Sequence, residues 1–106
     1  MTPESALKNK IMIECGQRNW ICLHLNVGKV KLPNGYFFNT GVPVGFPDLT
    51  IITDLGVVIF IETKIKPRKP TPEQLKWIEN LKKRGFIADV VYTLDSFKML
   101  LKSHGF

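Results

Sequence analysis

Residues 57–65 (Val-Val-Ile-Phe-Ile-Glu-Thr-Lys-Ile) constrain the fold of this chain more than any other segment. At a period of two, Val57, Ile59, Ile61 and Ile65 line one face of a strand, and Val58, Phe60, Glu62 and Lys64 line the other. A strand that is apolar on both faces is a buried strand. A carboxylate and an ammonium at its end lose hydration, which is unfavourable unless they pair or bind something. Just upstream, residues 49–53 form a second apolar run, and Asp54-Leu55-Gly56 is a turn between the two. A hairpin through that turn returns Asp48 to the side of Glu62, with Lys64 just beyond.

The rest of the chain supplies layers for such a sheet. Thr2-Pro3-Glu4 reads as a helix start, with a cap, a proline at the first position and an acid in the first turn. Leu7, Ile11 and Cys15 then recur every fourth residue, with Ala6 and Ile13 beside them, and predict about three turns ending near Gly16. Residues 20–26 read as a strand. Pro33-Asn34-Gly35 marks a hairpin, with residues 36–39 as a short strand after it; Tyr36, Phe37 and Phe38 there are read as core, in preference to projection toward a nucleic acid or a second copy of the chain. Thr71 and Gln74 have capping-box spacing, and open a helix whose apolar face is Leu75, Ile78 and Leu81 and whose end is Lys82-Lys83-Arg84-Gly85. Residues 88–94 are a last strand, followed by a short helix capped by Asp95 or Ser96 and carrying Phe97, Leu100 and Leu101. This order predicts an α/β sandwich around one mixed sheet. The 106 residues correspond to one domain and bury roughly two-thirds of the unfolded surface.

Several function classes are excluded at this point. The longest uncharged apolar run, residues 57–61, is far too short to span a bilayer. The opening Met-Thr-Pro-Glu-Ser has no basic segment ahead of an apolar one, so no signal peptide is expected. Cys15 and Cys22 fit neither a zinc motif nor a disulfide framework, and read as reduced, partly buried residues of a cytosolic protein. No phosphate-binding glycine loop is present, so no nucleotide cofactor is expected. His24 and His104 lack any nucleophile context, while Met12 and Met99 read as core. Trp20 and Trp77 read as core or interface. The net charge of +6 points to a polyanionic partner.

Convergent carboxylates are what Mg²⁺ requires, since it takes hard oxygen ligands. Such an ion acidifies water and neutralises a phosphate. The competing arrangement is an Asp48 that caps a turn and a Glu62 paired with Lys64 on a solvated rim. The position of both acids at the ends of the most buried strands favours the site. Glu14, near the end of the first helix, is expected to be exposed.

Gly45-Phe46-Pro47-Asp48, then Gly56, then Phe60-Ile61-Glu62-Thr63-Lys64, then Thr71-Pro72-Glu73-Gln74-Leu75-Lys76-Trp77 resemble the PD-(D/E)xK nuclease superfamily. More narrowly they resemble its VRR-NUC family, in the stand-alone phage or bacterial form, from Glu4 to about Gly85. The valine-arginine-arginine signature is not visible in residues 62–70, so the resemblance rests on the other motifs. It implies a restriction-endonuclease-like fold, a central mixed sheet flanked by helices, as a single domain over residues 1–106. It implies Asp48 and Glu62 as metal-binding carboxylates, the Thr63 carbonyl as a further ligand and Lys64 as the catalytic lysine. Glu4 corresponds to a first-helix glutamate that reaches the metal directly or through water; without the resemblance, a dipole-favoured first-turn acid explains it equally well. Gln74 corresponds to the glutamine that opens the second helix and faces the site; capping alone explains it equally well. Asn26-Val27-Gly28 matches a segment after the first strand that contacts substrate, though His24 and Leu25 stand where an arginine is common.

Most lysines and arginines, including Lys8, Lys10 and Arg18 on the first helix, read as solvated. Lys66, Arg68 and Lys69 differ, because they follow the proposed active strand where a DNA phosphate would lie. The expected activity is metal-dependent, structure-specific DNA hydrolysis of the Holliday-junction-resolvase type, with Mg²⁺ as cofactor and Mn²⁺ as substitute. The expected partners are branched DNA and a second copy of the chain, in the cytoplasm of a bacterial or phage-infected cell. The alternatives are a catalytically silent DNA-binding module and a nuclease that prefers flaps or nicks. A sequence-specific restriction-type enzyme would need recognition elements for which the chain has little room.

Overall fold

The computed structural model describes residues 1–106. Its elements in chain order are α1 (Pro3–Gln17), β1 (Ile21–His24), β2 (Lys29–Lys31), β3 (Phe37–Asn39), β4 (Leu49–Ile52), β5 (Val58–Thr63), α2 (Pro72–Lys83), β6 (Ile87–Val91) and α3 (Leu94–Ser103). Four strands form one mixed sheet in the order β1-β4-β5-β6, with β4 antiparallel to both neighbours and β6 parallel to β5. The parallel pair is joined through α2, the crossover that a parallel connection requires.

The two faces of β5 are buried as the alternation predicts. Ile59 and Ile61 join Leu49 and Ile51 in a core closed by Leu7, Ile11 and Cys15 of α1 and by Phe97 and Leu101 of α3. Phe60 and Ala88 pack against Ile78 and Leu81 of α2 on the opposite face. The result is a three-layer sandwich with its most apolar strands in the middle. Each fully buried Ile or Leu contributes about 1.5–3 kcal/mol, so the paired β4 and β5 are anchored firmly enough to carry charge at their ends. The connecting turn closes as expected: the Thr53 amide donates to Val57 O at 2.9 Å, and the Thr53 hydroxyl accepts from the Val57 amide at 3.0 Å. No helix is long and apolar enough to cross a membrane.

Several sequence expectations are corrected. The reversal after α1 occurs at Asn19, in the left-handed region at φ 61°, rather than at Gly16. Ile13, Met12, Met99 and Leu75 are exposed, because their helices each have only a narrow buried stripe. The cap of α3 is Thr93, which accepts from the Ser96 amide, rather than Asp95 or Ser96. Glu14 is largely shielded, held by Arg18 at 2.8 Å and by Lys98 of α3 at 3.5 Å. The Arg18 hydrogen bond, joined by the charge of Lys98, holds the Glu14 carboxyl below the usual carboxylate range. Arg18 itself lies over the Trp20 ring. The largest correction concerns Tyr36, Phe37 and Phe38, which are 73%, 63% and 58% exposed rather than core. They sit on the β2–β3 hairpin, a separate two-stranded sheet with neither strand buried. Both cysteines are free, with Cys15 buried and Cys22 half-buried.

The loop into β4 is held by aromatic packing and by a glycine. Phe46 stands edge-on to Phe60 at 5.6 Å and to Trp77 at 5.2 Å, linking the loop to β5 and α2. Gly45 has φ +88°, and a Cβ there would lie 2.7 Å from Glu73 Cβ and 2.8 Å from its carbonyl carbon. The first turn of α2 thus approaches the backbone that leads to Asp48. Gly45→Ala is expected to destabilise the fold by about 2 kcal/mol or more, read by urea unfolding, because it adds both positive-φ strain and a backbone clash. A loss within about 0.5 kcal/mol would mean that this approach is not tight.

Candidate functional site

The β4–β5 register pairs Leu49 with Ile61, and one step further brings Asp48 beside the Glu62-Thr63 segment. Asp48 is fixed from there. Its Oδ1 accepts the Thr63 amide at 3.1 Å, and its Oδ2 accepts the Thr63 hydroxyl at 2.7 Å. The Asp48 carbonyl accepts the Leu25 amide at 2.9 Å, so the exposed Asn26 follows directly on a residue tied to Asp48. Glu4 arrives from the first turn of α1, whose start is set by the Thr2 hydroxyl accepting the Ser5 amide. One carboxylate oxygen from each of Glu4, Asp48 and Glu62 lies within 4.8 Å of the others.

Glu62 differs from its neighbours in having no protein partner. It is only 5% exposed, yet no lysine or arginine lies within ion-pair distance of it, and it forms no hydrogen bond. The solvated Glu62–Lys64 pair is therefore not formed. Burial, reinforced by the charge of Asp48, pushes the Glu62 carboxyl up to about 8; Lys64 acts in the opposite direction more weakly. Burial without a partner disfavours the ionised form, which a proton or an external cation relieves. The donor set consists of hard oxygens clustered at one end of the sheet. It fits a divalent ion such as Mg²⁺, and Glu4, Asp48 and Glu62 would hold it.

Lys64 is half-buried just past β5, and its amide donates to Val91 O at 3.0 Å, which continues the parallel ladder and fixes the backbone beneath the side chain. Gln74 completes the capping box, its Oε1 accepting the Thr71 amide at 2.9 Å while its Nε2 has no partner in the chain. Gln74 thus fills the capping role. Lys66, Arg68 and Lys69 are exposed, and none is ion-paired. Lys66 and Arg68 line a cleft of about 380 Å³ whose opposite wall includes Thr2, Pro3 and Glu4. One member of the carboxylate cluster therefore faces two free cations across that cleft.

Two roles escaped sequence reasoning. Lys8 is not a solvated surface lysine: its ammonium lies 3.3 Å from Asp48 Oδ2 and 3.7 Å from Glu4 Oε1. The four-residue spacing from Glu4 was the available signal. The Thr63 side chain is the second, since its hydroxyl and amide both orient Asp48.

A mixed sheet between helices, with two carboxylates brought together where β4 begins and β5 ends and a lysine just past them, defines a nuclease domain of the PD-(D/E)xK type. Residues 3–94 match the VRR-NUC domain family, and the chain belongs to it. A solved structure described as a VRR_NUC domain is 25% identical and superposes with a TM-score of 0.75 over 100% of both chains. Another, a VRR_NUC domain protein, is 30% identical with a TM-score of 0.50, covering 61% of this chain and 56% of its own. No curated protein sequence matches the chain.

The Glu62 environment sets a pH dependence for the metal-free protein. The folded value of about 8 lies above the ordinary 4.5, so stability linked to the protonated carboxyl is present below pH 4.5 and is lost as pH rises through 8. With EDTA present, wild type is expected to lose about 2 kcal/mol more than Glu62→Gln between pH 5 and pH 8.5, measured by denaturant melts at each pH. Parallel profiles for the two proteins would show that Glu62 is ionised throughout.

Proposed function

We propose that this nuclease domain is a metal-dependent DNA endonuclease that hydrolyses phosphodiester bonds in branched DNA, in the manner of a Holliday-junction resolvase. The observation that carries the reading is Glu62, a buried carboxylate left without a protein partner between two other carboxylates. Asp48, Glu62 and Glu4, with the Thr63 carbonyl, are the proposed ligands of Mg²⁺, for which Mn²⁺ substitutes. When bound, the ion neutralises phosphate charge and acidifies a water.

The chain's own residues do the rest. Thr63 holds Asp48 in one orientation, so the ligand set is organised before substrate arrives. Lys64 orients the attacking water and offsets the negative charge that develops on the phosphoryl oxygens. Lys66, Arg68 and Lys69 bind flanking phosphates, which positions the strand without reading bases. Asn26 adds an exposed polar contact beside Asp48, and Gln74 adds its free Nε2 at the start of α2.

A symmetric homodimer is part of this reading, since cutting both strands of a branch needs two sites. The exposed hairpin supports it. Val30 pairs with Phe38 and Lys31 with Phe37, so apolar side chains are displayed on both faces of a ribbon that its own chain does not cover. Three aromatics at this exposure, divided between the two faces, present roughly 400 Å², with Val30 and Leu32 beside them. Phe37→Ser combined with Phe38→Ser is expected to convert a dimer to a monomer in sedimentation velocity. A wild-type monomer at micromolar concentration would refute the dimer.

The activity is tested by cleavage of a labelled four-way junction and a matched linear duplex, with Mg²⁺ and with EDTA. The expected result is junction cleavage by wild type with Mg²⁺ only, abolished in Asp48→Asn and reduced about a hundredfold or more in Lys64→Met, with DNA binding retained. Equal cleavage of both DNAs would remove the junction preference. Binding without cleavage in Mg²⁺ and in Mn²⁺ would identify a silent DNA-binding module instead.

A further inference from the structure

We propose that Lys8 is the resident counter-ion of the carboxylate cluster, and that its ammonium leaves Asp48 when a divalent cation binds there. The inference rests on the metal-site reading above and adds an element that reading does not contain: an internal cation that competes for the ligands.

Lys8 Nζ bridges two of the three carboxylates, 3.3 Å from Asp48 Oδ2 and 3.7 Å from Glu4 Oε1. The bridge is built in by helix geometry, since Glu4 and Lys8 are one turn apart on α1 and Asp48 faces that turn. It is also well shielded, because the side chains of Lys8 and Asp48 are only 18% and 12% exposed. At such exposure the attraction is stronger, and less screened by salt, than that of a surface pair.

Charge sets the competition. The Thr63 amide and hydroxyl hydrogen-bond Asp48 Oδ1 and Oδ2, while the Lys8 ammonium stands against Oδ2 as an ion pair. The Thr63 donors are part of the sheet edge and do not move readily. The Lys8 ammonium sits at the tip of a flexible four-carbon stem. A divalent cation held by these carboxylates would put a second positive charge beside the Lys8 ammonium, and the repulsion would drive that side chain outward. Lys8 also neutralises part of a cluster that would otherwise repel itself.

The consequence is opposite in sign to that of a catalytic or ligand-orienting lysine. Lys8→Met should bind Mn²⁺ about five- to tenfold more tightly than wild type, measured by calorimetry at 0.1 M salt, and should melt at a lower temperature in EDTA. Lys8→Arg, which keeps the charge, should retain the wild-type affinity within about twofold. Unchanged or weaker Mn²⁺ binding by Lys8→Met overturns the proposal while leaving the metal site intact. Absence of Mn²⁺ binding by wild type overturns both readings. If Lys8→Met does not fold, the side-chain ¹⁵Nζ resonance of Lys8 in wild type decides the matter. A shift on titration with Mg²⁺ is expected, and an unmoved resonance under saturating Mg²⁺ overturns the displacement.

Discussion

Two hydrogen bonds from Thr63 to Asp48 tie the beginning of β4 to the end of β5. The site depends on this link. Asp48 leaves the Gly45–Pro47 loop just as the strand enters the core, where its carboxylate would otherwise be free to rotate into water. Instead it is held by an amide and a hydroxyl that belong to the sheet itself. The buried Ile59 and Ile61 below, and Leu49 beside them, keep that sheet edge from shifting. Packing and site geometry are thus the same problem: the apolar layers hold β4 and β5 in register, and the register determines which oxygens converge.

This arrangement concentrates negative charge where the protein is least able to solvate it. Three carboxylates lie within 4.8 Å of one another, and the most buried, Glu62, has no partner. Little of Glu62 reaches water, so a proton on Glu62, the ammonium of Lys8 or a bound cation would relieve the repulsion. The chain supplies the first two, and the third is the one the proposed function invokes. Across the cleft beside Glu4, Lys66 and Arg68 remain unpaired, so positive charge is available for a phosphate next to the carboxylates that would hold the metal. Lys66 and Arg68 are thus not neutralised by the three carboxylates, although they follow Glu62 closely in the chain.

Much of this was legible in the chain. The alternation around Ile59, Phe60 and Ile61 identified a strand buried on both faces, and the Asp54–Gly56 turn implied that Asp48 returns to Glu62. Capping at Thr2 and Thr71 was read correctly, because a hydroxyl followed by a proline and an acid or amide has few other local uses. Other features were misread for a common reason. Tyr36, Phe37 and Phe38 read as core because aromatics usually are, yet a hairpin joined to the sheet only through loops has no surface of its own chain to pack on. Lys8 read as a surface lysine because a charged residue on a helix usually points to solvent. Its actual neighbour, Asp48, is forty positions away in the chain. Glu14 was misassigned in the same way, since Lys98 on α3 reaches it only in the folded protein.

The sequence by itself determined the elements and the chemical types at their ends. Strand and helix periodicity, caps and turns are local, and each is set by residues within one or two turns of one another. It also determined that Asp48 and Glu62 would meet, because a tight hairpin leaves little freedom of register. Only the tertiary structure decided which charges neutralise that meeting. Lys8 rather than Lys64 bridges the carboxylates, Thr63 orients Asp48 through its side chain, and Glu62 is left without a partner. The Thr63 contact depends on the β4–β5 register, and the Lys8 bridge on how α1 crosses the end of the sheet, which is set by packing of Leu7, Ile11 and Cys15 against strands distant in sequence. Long-range packing positions charges to within an ångström, a precision that local pattern does not encode.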